Sequence, residues 1–465
     1  MRAGMKDDGR SARMKRLAQF ILHPSSFILL LLLPAACSST PAPAPIAPTP
    51  IPGTLYVNAA QPIGTVSPYV FGTNYGPWVF LMGTMKPLAI AAGLTYLRYP
   101  GGEYGDSVDL MEYQIDEAAA LAKDLGAELA ISVRLMNGTP ENAANLVKYA
   151  NPTRGYNVKF WSIGNEPNLY SRRSDGIPGY DTAQYNQEWR KIAEAMRAVD
   201  PSIKLVGPDV TSIVLKPNDP VTLKAREWLE EFLKANGDLV DVVSFHRYPF
   251  PVVPSDPPPT KEQLLAASEE WDSLIPLVRQ LVKDTTGQDK PLAVTEVNSN
   301  WVTVSGGEAT PETLYNALWW GDSLGRLMRQ RVEIVAHFLL TSKSGAGGGE
   351  MGLLGTYEPR LTYYVYPLYK RFGRQLVESS TDRALLSIYA SRRDDGALTL
   401  MLINRSAEPQ TLPLQLVGFA PGGPAEVWRL DAEHNAEQVD SQDVKDGDLI
   451  MLPPYSMSLY AFPKP

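Results

Sequence analysis

The sequence predicts an α/β fold: a (β/α)8 barrel with an additional all-β sandwich domain formed by the C-terminus and an N-terminal strand. Three observations lead there. Eight apolar, strand-like runs alternate with helical patterns through the middle of the chain. From about residue 384 the pattern changes to short strands separated by polar turns. The fourth and seventh of the eight runs each carry a glutamate near the end.

The runs are VFGTNYG (70–76), TYLRYPGG (95–102), ELAISVRL (128–135), FWSIGNEP (160–167), KLVGPDV (204–210), DVVSFHRY (241–248), LAVTEVN (292–298) and EIVAHFLL (333–340). Between them, Tyr185, Trp189, Ile192 and Met196 fall at spacings of four and three behind Asp181, a good cap for a helix over 181–199. Leu314, Leu318, Gly321, Leu324 and Met328 repeat that period over 311–331, with Thr310-Pro311 read as N-cap and first turn. Eight buried strands alternating with helices over about 270 residues is what a (β/α)8 barrel requires. A doubly wound open sheet would call for a GxGxxG turn after an early strand, and no early strand here is followed by one.

Beyond 384, ALLSIYAS, GALTLMLINR, TLPLQL, AEVWRL, LIML and SMSLYAF read as strands without an intervening helix. TLYVNAAQPIGTV (54–66) reads as one or two exposed strands that could join this sheet and clamp the chain ends together. The expected division is therefore 54–66 with the C-terminal sheet, 67–375 as the barrel and 376–465 as the sandwich.

The N-terminal segment is of another kind. Arg13, Lys15 and Arg16 precede Phe27-Ile28 and a leucine run from Leu29 to Leu33, then Pro34-Ala35-Ala36-Cys37. A basic region, a short apolar stretch and small residues before a break describe a secretory signal, too short to span a bilayer comfortably. Ending on Cys37, residues 1–37 resemble a bacterial lipoprotein signal whose cysteine is lipidated; ordinary secretion with an incidental cysteine is the alternative. Residues 38–53 (SSTPAPAPIAPTPIPG) should form an extended, solvated tether. Any membrane contact would run through that anchor alone, and the expected location is the cell envelope or the exterior.

Bulk composition narrows the partners. The 465 residues are 44% hydrophobic and 20% charged, with net charge −8. Loss of residues 1–36 would leave the chain near −12, with 37 basic against 49 acidic residues. That balance argues against nucleic acid and anionic membrane surfaces. With Cys37 the only cysteine there is no internal disulfide and no cysteine zinc site. Four scattered histidines make no metal site. No cofactor is implied, and oligomeric state is left open.

In a (β/α)8 barrel the working residues sit at the C-terminal ends of the strands. The fourth run ends in Asn165-Glu166-Pro167 and the seventh in Thr295-Glu296-Val297-Asn298. A carboxylate after an apolar run is costly unless paired or used, and strands four and seven face one another across the barrel mouth. Cleavage of a glycosidic bond needs such a pair: one acid to protonate the leaving oxygen and one carboxylate to attack the anomeric carbon.

Trp161-Ser162-Ile163-Gly164-Asn165-Glu166-Pro167 resembles the acid/base motif of clan A of the glycoside hydrolases, over roughly residues 67–372. The resemblance implies Glu166 as acid/base, Glu296 as nucleophile, and Asn165 on the sugar 2-hydroxyl. It implies Arg98 of RYPGG near the nucleophile, and His246 and Tyr248 at the end of strand six with Tyr248 donating to Glu296. A structural ion pair for Arg98 and packing roles for His246 and Tyr248 are the alternatives. Gly101-Gly102 would let the backbone approach the sugar closely. Within the clan, Ile163 to Tyr170 with Thr295-Glu296-Val297-Asn298-Ser299 resembles the β-glucuronidase and heparanase family, making Asn298 a substrate-binding candidate. RYPGG resembles the α-L-arabinofuranosidases, and the β-xylosidase and iduronidase family is a weaker third. Strand eight lacks the usual aromatic platform Trp, leaving His337 either facing the sugar or in the core.

Glu103 could bind a hydroxyl or be a plain loop acid. Trp78 and Trp301 could stack on sugar rings or pack loops onto the barrel. The 249–259 and Ser344–Gly349 stretches read as rim loops. The expected activity is retaining O-glycoside hydrolysis of oligo- or polysaccharides, with transglycosylation or non-catalytic carbohydrate binding as alternatives.

Overall fold

The computed structural model describes residues 48–211, 220–250, 257–301, 307–343 and 350–465. Cys37, the signal-like segment and most of the tether lie outside them, as do most of the 249–259 stretch and all of 344–349.

The first strand, β1 (Leu55–Thr65), precedes eight parallel strands: β2 (Tyr69–Asn74), β3 (Tyr96–Tyr99), β4 (Glu128–Val133), β5 (Phe160–Ile163), β6 (Lys204–Val210), β7 (Val242–Arg247), β8 (Leu292–Val297) and β9 (Ile334–His337). These close a barrel in sequence order, with β9 pairing back onto β2. Tyr96, Ala130, Phe160, Val206, Val242, Ala293, Ile334 and Ala336 form its inner core, roughly one side chain per strand. Residues of the opposite parity, such as Leu97, Ile131, Trp161 and Val243, face outward against the helices.

The helix Thr182–Val199 begins where expected, with Asp181 accepting from the Gln184 amide at 2.9 Å. The helix Leu314–Arg329 starts later than its period suggests. Its cap is Thr313, accepting from the Asn316 amide, while the Thr310 carbonyl closes a turn onto Thr313. Thr310-Pro311 thus belongs to the approach turn and not to the helix.

The remaining strands are β10 (Gln375–Ser380), β11 (Leu386–Arg392), β12 (Leu398–Asn404), β13 (Gln410–Val417), β14 (Ala425–Leu430), β15 (Asn435–Gln442), β16 (Leu449–Leu452) and β17 (Ser456–Phe462). With β1 they pair in the order β15-β14-β17-β12-β11-β10-β1-β13-β16. Side chains from both ends of that order, Leu412 and Ile450 with Val427 and Phe462, share one core, so the sheet doubles over into a sandwich. β10 and β15 escape the sequence reading. β15 is a largely exposed edge strand without apolar alternation, and β10 turns polar after Val377.

β1 lies inside this sheet, antiparallel to β10 and parallel to β13. It is not the exposed strand expected: Leu55 to Ala59 are buried, and only the second half reaches solvent. Residues 48–53 also depart from a free tether. The Ile51 amide donates to Gln415 at 2.8 Å, the Gly53 amide to Asp382 at 3.1 Å, and Gln415 to the Thr49 carbonyl.

The sandwich has a second buried face. In β12, Leu400 and Leu402 enter its own core while Met401 and Ile403 pack with the barrel. The helix Leu314–Arg329 meets that face, and Gly321 and Gly325 allow it. A Cβ on Gly321 would lie 2.7 Å from Met457 Sδ, and one on Gly325 2.3 Å from the Tyr389 ring. Asp322 between them is buried among Arg326, Arg405, Ser268 and Tyr389.

Candidate active site

The C-terminal ends of β3, β5, β6, β7 and β8 converge on one buried cluster of charges. Irregular pairing between Phe245 and His246, and between Val294 and Val297, re-aims the last residues of β7 and β8. Glu296 is thereby turned inward and almost wholly buried. Its Oε1 accepts from Arg98 Nη1 at 2.7 Å and from the Gly102 amide at 2.8 Å. Its Oε2 accepts from the Tyr248 hydroxyl at 2.8 Å and lies 3.6 Å from His246 Nδ1. Burial pushes the carboxyl upward, but His246, Arg98 and the Tyr248 donor outweigh it and hold Glu296 below the usual carboxylate range.

Glu166 sits across from it, in the left-handed region at φ 47°. Its amide donates to the Asp209 carbonyl at 3.0 Å, and its partly exposed carboxylate meets His246 Nδ1 at 2.9 Å. His246 bridges the two acids. Burial alone would lower it, yet Glu296 and the hydrogen bond to Glu166 raise it above the ordinary imidazole value. Ligand atoms of Glu166, His246 and Glu296 all lie within 4.8 Å of one another, near enough to hold a cation. No metal was expected from the sequence, and here the Arg98 guanidinium already supplies positive charge against Glu296.

The other sequence candidates divide. Asn165 is fully buried beside Arg98, which donates to its Oδ1 at 3.0 Å, and its Nδ2 has no partner among the described residues. Gly101-Gly102 does permit close backbone approach, but to the Glu296 carboxylate and to Asn74, whose Oδ1 would sit 2.4 Å from a Cβ on Gly101. Asn298 is corrected: its Nδ2 donates to the Phe338 and Met351 carbonyls and its Oδ1 accepts from the Ser299 amide. It ties the loops after β8 and β9 together and offers no group to a sugar. Glu103 is an exposed rim acid, 3.7 Å from Arg173. Burial, opposed by Arg173 and aided by Glu166, raises its carboxyl.

Trp301 is 41% exposed on the rim beyond β8. Its amide donates to the Phe250 carbonyl, pinning the β7 and β8 loops together. His337 is a core residue: fully buried, with its ring edge-on to Trp320 at 5.0 Å. Desolvation pulls it down to about 3, so it stays neutral. Phe338, next in sequence, is the aromatic that reaches the site. Its ring would touch a Cβ on Gly102 at 3.4 Å and lies 6.4 Å from the Tyr248 ring.

Three further polar residues complete the cluster. Asp209, at φ 54° in a bulge of β6, meets Arg98 Nη2 at 3.2 Å and takes the Thr295 hydroxyl at 2.5 Å. Asn74 at the end of β2 accepts from Arg98 at 3.0 Å. Asp106 is fully buried and accepts the Asn165 amide at 2.9 Å together with the Tyr170 hydroxyl. Burial pushes its carboxyl up to about 8 against the pull of Tyr170 and Arg173.

Comparison with known proteins agrees with this architecture. Residues 384–458 match the family described as D-apionate lactonase, C-terminal immunoglobulin-like domain. Mouse heparanase is 26% identical over 311 residues, covering 62% of this chain and 54% of that protein. The chain thus spans about half the length of the heparanases it matches. An intracellular exo-α-(1→5)-L-arabinofuranosidase of Acetivibrio thermocellus is 29% identical over 160 residues, 30% of this chain and 29% of that one. Among solved structures, the family 51 α-L-arabinofuranosidase of Thermotoga petrophila superposes with TM-score 0.70 at 17% identity, over 88% of this chain and 99% of that one. A family 44 xyloglucanase of Paenibacillus polymyxa gives 0.67 at 15% identity, over 88% and 99%. The barrel with its appended sandwich is therefore the fold of clan A glycoside hydrolases.

Proposed function

We propose that this chain is a retaining O-glycoside hydrolase of clan A, with Glu296 as nucleophile and Glu166 as acid/base. The observation that carries the reading is the approach of the two carboxylates, one oxygen of each lying within 4.8 Å of the other. Retention needs carboxyl groups about 5–5.5 Å apart, whereas an inverting enzyme leaves about 6.5–9.5 Å for a water. The unequal environments fit the unequal roles: Glu296 is buried and held ionised by Arg98 and Tyr248, while Glu166 is partly exposed at the cleft, where it can exchange a proton with a leaving group or water.

In the first step Glu296 attacks the anomeric carbon, the bond to the leaving oxygen breaks, and that oxygen takes a proton from Glu166. In the second step Glu166 removes a proton from water, which attacks the same carbon and frees Glu296. The unpartnered Asn165 Nδ2 is the donor available to a sugar hydroxyl. Azide rescue tests the assignment. Glu296→Ala should lose nearly all turnover and, with azide, form a glycosyl azide of inverted configuration. Glu166→Ala should keep activity on aryl glycosides with good leaving groups and give an azide of retained configuration. The reverse stereochemistry would exchange the two roles, and inversion by the wild type would remove the retaining mechanism.

The N-terminal reading joins this proposal. Cys37 is the lipidated residue of an envelope-anchored enzyme, so labelled palmitate should enter the wild type and not Cys37→Ser. Equal solubility without label in both would leave plain secretion.

A further inference from the structure

We infer that a glycan bound at Glu166 and Glu296 continues over the loop 75–82 into a second, tyrosine-lined cleft, and that the glycan is a neutral one. The inference rests on the proposed reading of the catalytic centre and adds to it a distal binding site and a class of substrate.

Two clefts flank that loop. The first, about 560 Å³, is lined by Phe338, whose ring borders Gly102 and hence the backbone donor to Glu296, and by Trp78 and Phe80. The second, about 520 Å³, lies between the same loop and the helix Glu112–Leu125, and Val79 and Phe80 line both. The ridge between them is aromatic on each side: Trp78 of the first cleft stacks on Tyr104 of the second, with centroids 5.7 Å apart and planes 28° from parallel. Tyr75, Tyr99 and Tyr113 complete the second lining.

Phe80 is 76% exposed, Tyr113 57% and Trp78 40%. Aromatic faces clustered at the mouth of a cleft mark a binding surface, and rings with phenolic tips suit a ligand with both C–H faces and hydroxyls. The nearness of Phe338, in the lining of the first cleft, to Gly102 and Glu296 selects the occupant: the next units of the same glycan.

Charge selects the class. Among the described residues the first cleft holds Lys343 with Glu350 and the second Lys86 with Glu117, so neither lining carries a surplus of positive charge. Lys86 is moreover paired with Asp124 at 2.5 Å. A chain of uronates or sulfates would find no uncompensated cation in either cleft.

The test uses the full chain with Glu296→Gln to hold substrate uncleaved, titrated with xylan-, arabinan- and glucan-derived oligosaccharides of two and six units and with a heparin hexasaccharide. Affinity should rise at least ten-fold from two to six units in one neutral series. Phe80→Ala with Tyr113→Ala, both exposed positions, should remove that gain. In the active chain the same pair should lower kcat/KM for the six-unit glycan relative to an aryl glycoside by about ten-fold. Affinity independent of length, or a length gain that survives the double substitution, overturns the distal cleft. Tighter, salt-sensitive binding of the heparin fragment overturns the neutral class. Self-association that the double substitution abolishes would assign the aromatic patch to a second copy and overturn the glycan. Length-dependent binding without any aryl glycoside cleavage by the wild type would instead remove the catalytic reading and leave the cleft standing.

Discussion

Glu296 at the barrel mouth and Asp322 at the seam between barrel and sandwich are both buried carboxylates, and both are held by arginine and tyrosine. Asp322 takes Tyr389 on Oδ1 at 2.7 Å, and Ser268 and Arg326 on Oδ2 at 2.6 and 2.9 Å. Arg405 lies 3.5 Å away. Both acids are depressed: burial raises each, and the neighbouring cations more than reverse it, Arg405 and Arg326 in one case and His246 and Arg98 in the other. Burial and a shifted acid therefore do not distinguish a reacting group from a structural one. The surroundings do. At the seam each arginine also meets an outer acid, Asp272 or Glu269, so the charges close on themselves. At the mouth Arg98 and His246 serve three acids, one of them, Glu166, opening on the cleft, and Asn165 keeps a donor unpaired.

Exchanging the perturbation tests that contrast most strongly. Glu296→Gln should cost at least about 10⁴-fold in kcat, with less stability lost than at the seam because Asp209 still meets Arg98. Asp322→Asn should do the opposite: about 3–5 kcal/mol of stability lost through uncompensated arginines, with kcat of the folded fraction near wild type. Denaturant titration beside steady-state kinetics decides it, and a large kcat loss in Asp322→Asn would break the comparison.

Tyr248→Phe is a smaller change on one side only. Removing a donor to the ionised Glu296 raises its carboxyl, and the nucleophile works ionised, so the acid limb of the kcat/KM profile should move to higher pH. Turnover at the optimum should fall about 10–100-fold. An unmoved acid limb would show that this hydroxyl does not tune Glu296.

The smallest effect belongs to the seam. Gly325→Ala places a methyl against the Tyr389 ring and should cost about 1–3 kcal/mol by overpacking. It changes no charge, so the pH profile of activity should stay fixed while thermal unfolding shifts downward.

The barrel and the pair of acids were legible because strand ends announce themselves: an apolar run cannot end on Asn165-Glu166 or Thr295-Glu296 without a reason. Arg98, His246 and Tyr248 also close strand-like runs, but their roles came from the resemblance to clan A. Asp209 was hidden inside the run KLVGPDV, one residue short of its end, and only the bulge in β6 turns it inward. Asp106 and Asn74 were hidden because their partners lie on other strands, 59 and 24 positions away. Asn298 misled for the converse reason: its neighbours in sequence suggested a ligand contact, and its neighbours in space are backbone carbonyls. Phe338 follows the histidine that drew attention at strand eight. A polar edge such as β15 carries no periodic signal to read.

The place of β1 has a consequence for how the molecule is made. Among the described residues it is the first strand to be synthesised and one of the last to find partners, since β10 and β13 flank it from beyond the whole barrel. At about 5–20 residues per second the ribosome needs tens of seconds to deliver them. Through that interval Leu55, Val57 and Ala59 have no core to enter, and both edges of the strand offer unpaired amides and carbonyls. Closure of this nonlocal pairing is a slow, late event, and until β10 and β13 arrive β1 is the segment open to wrong partners.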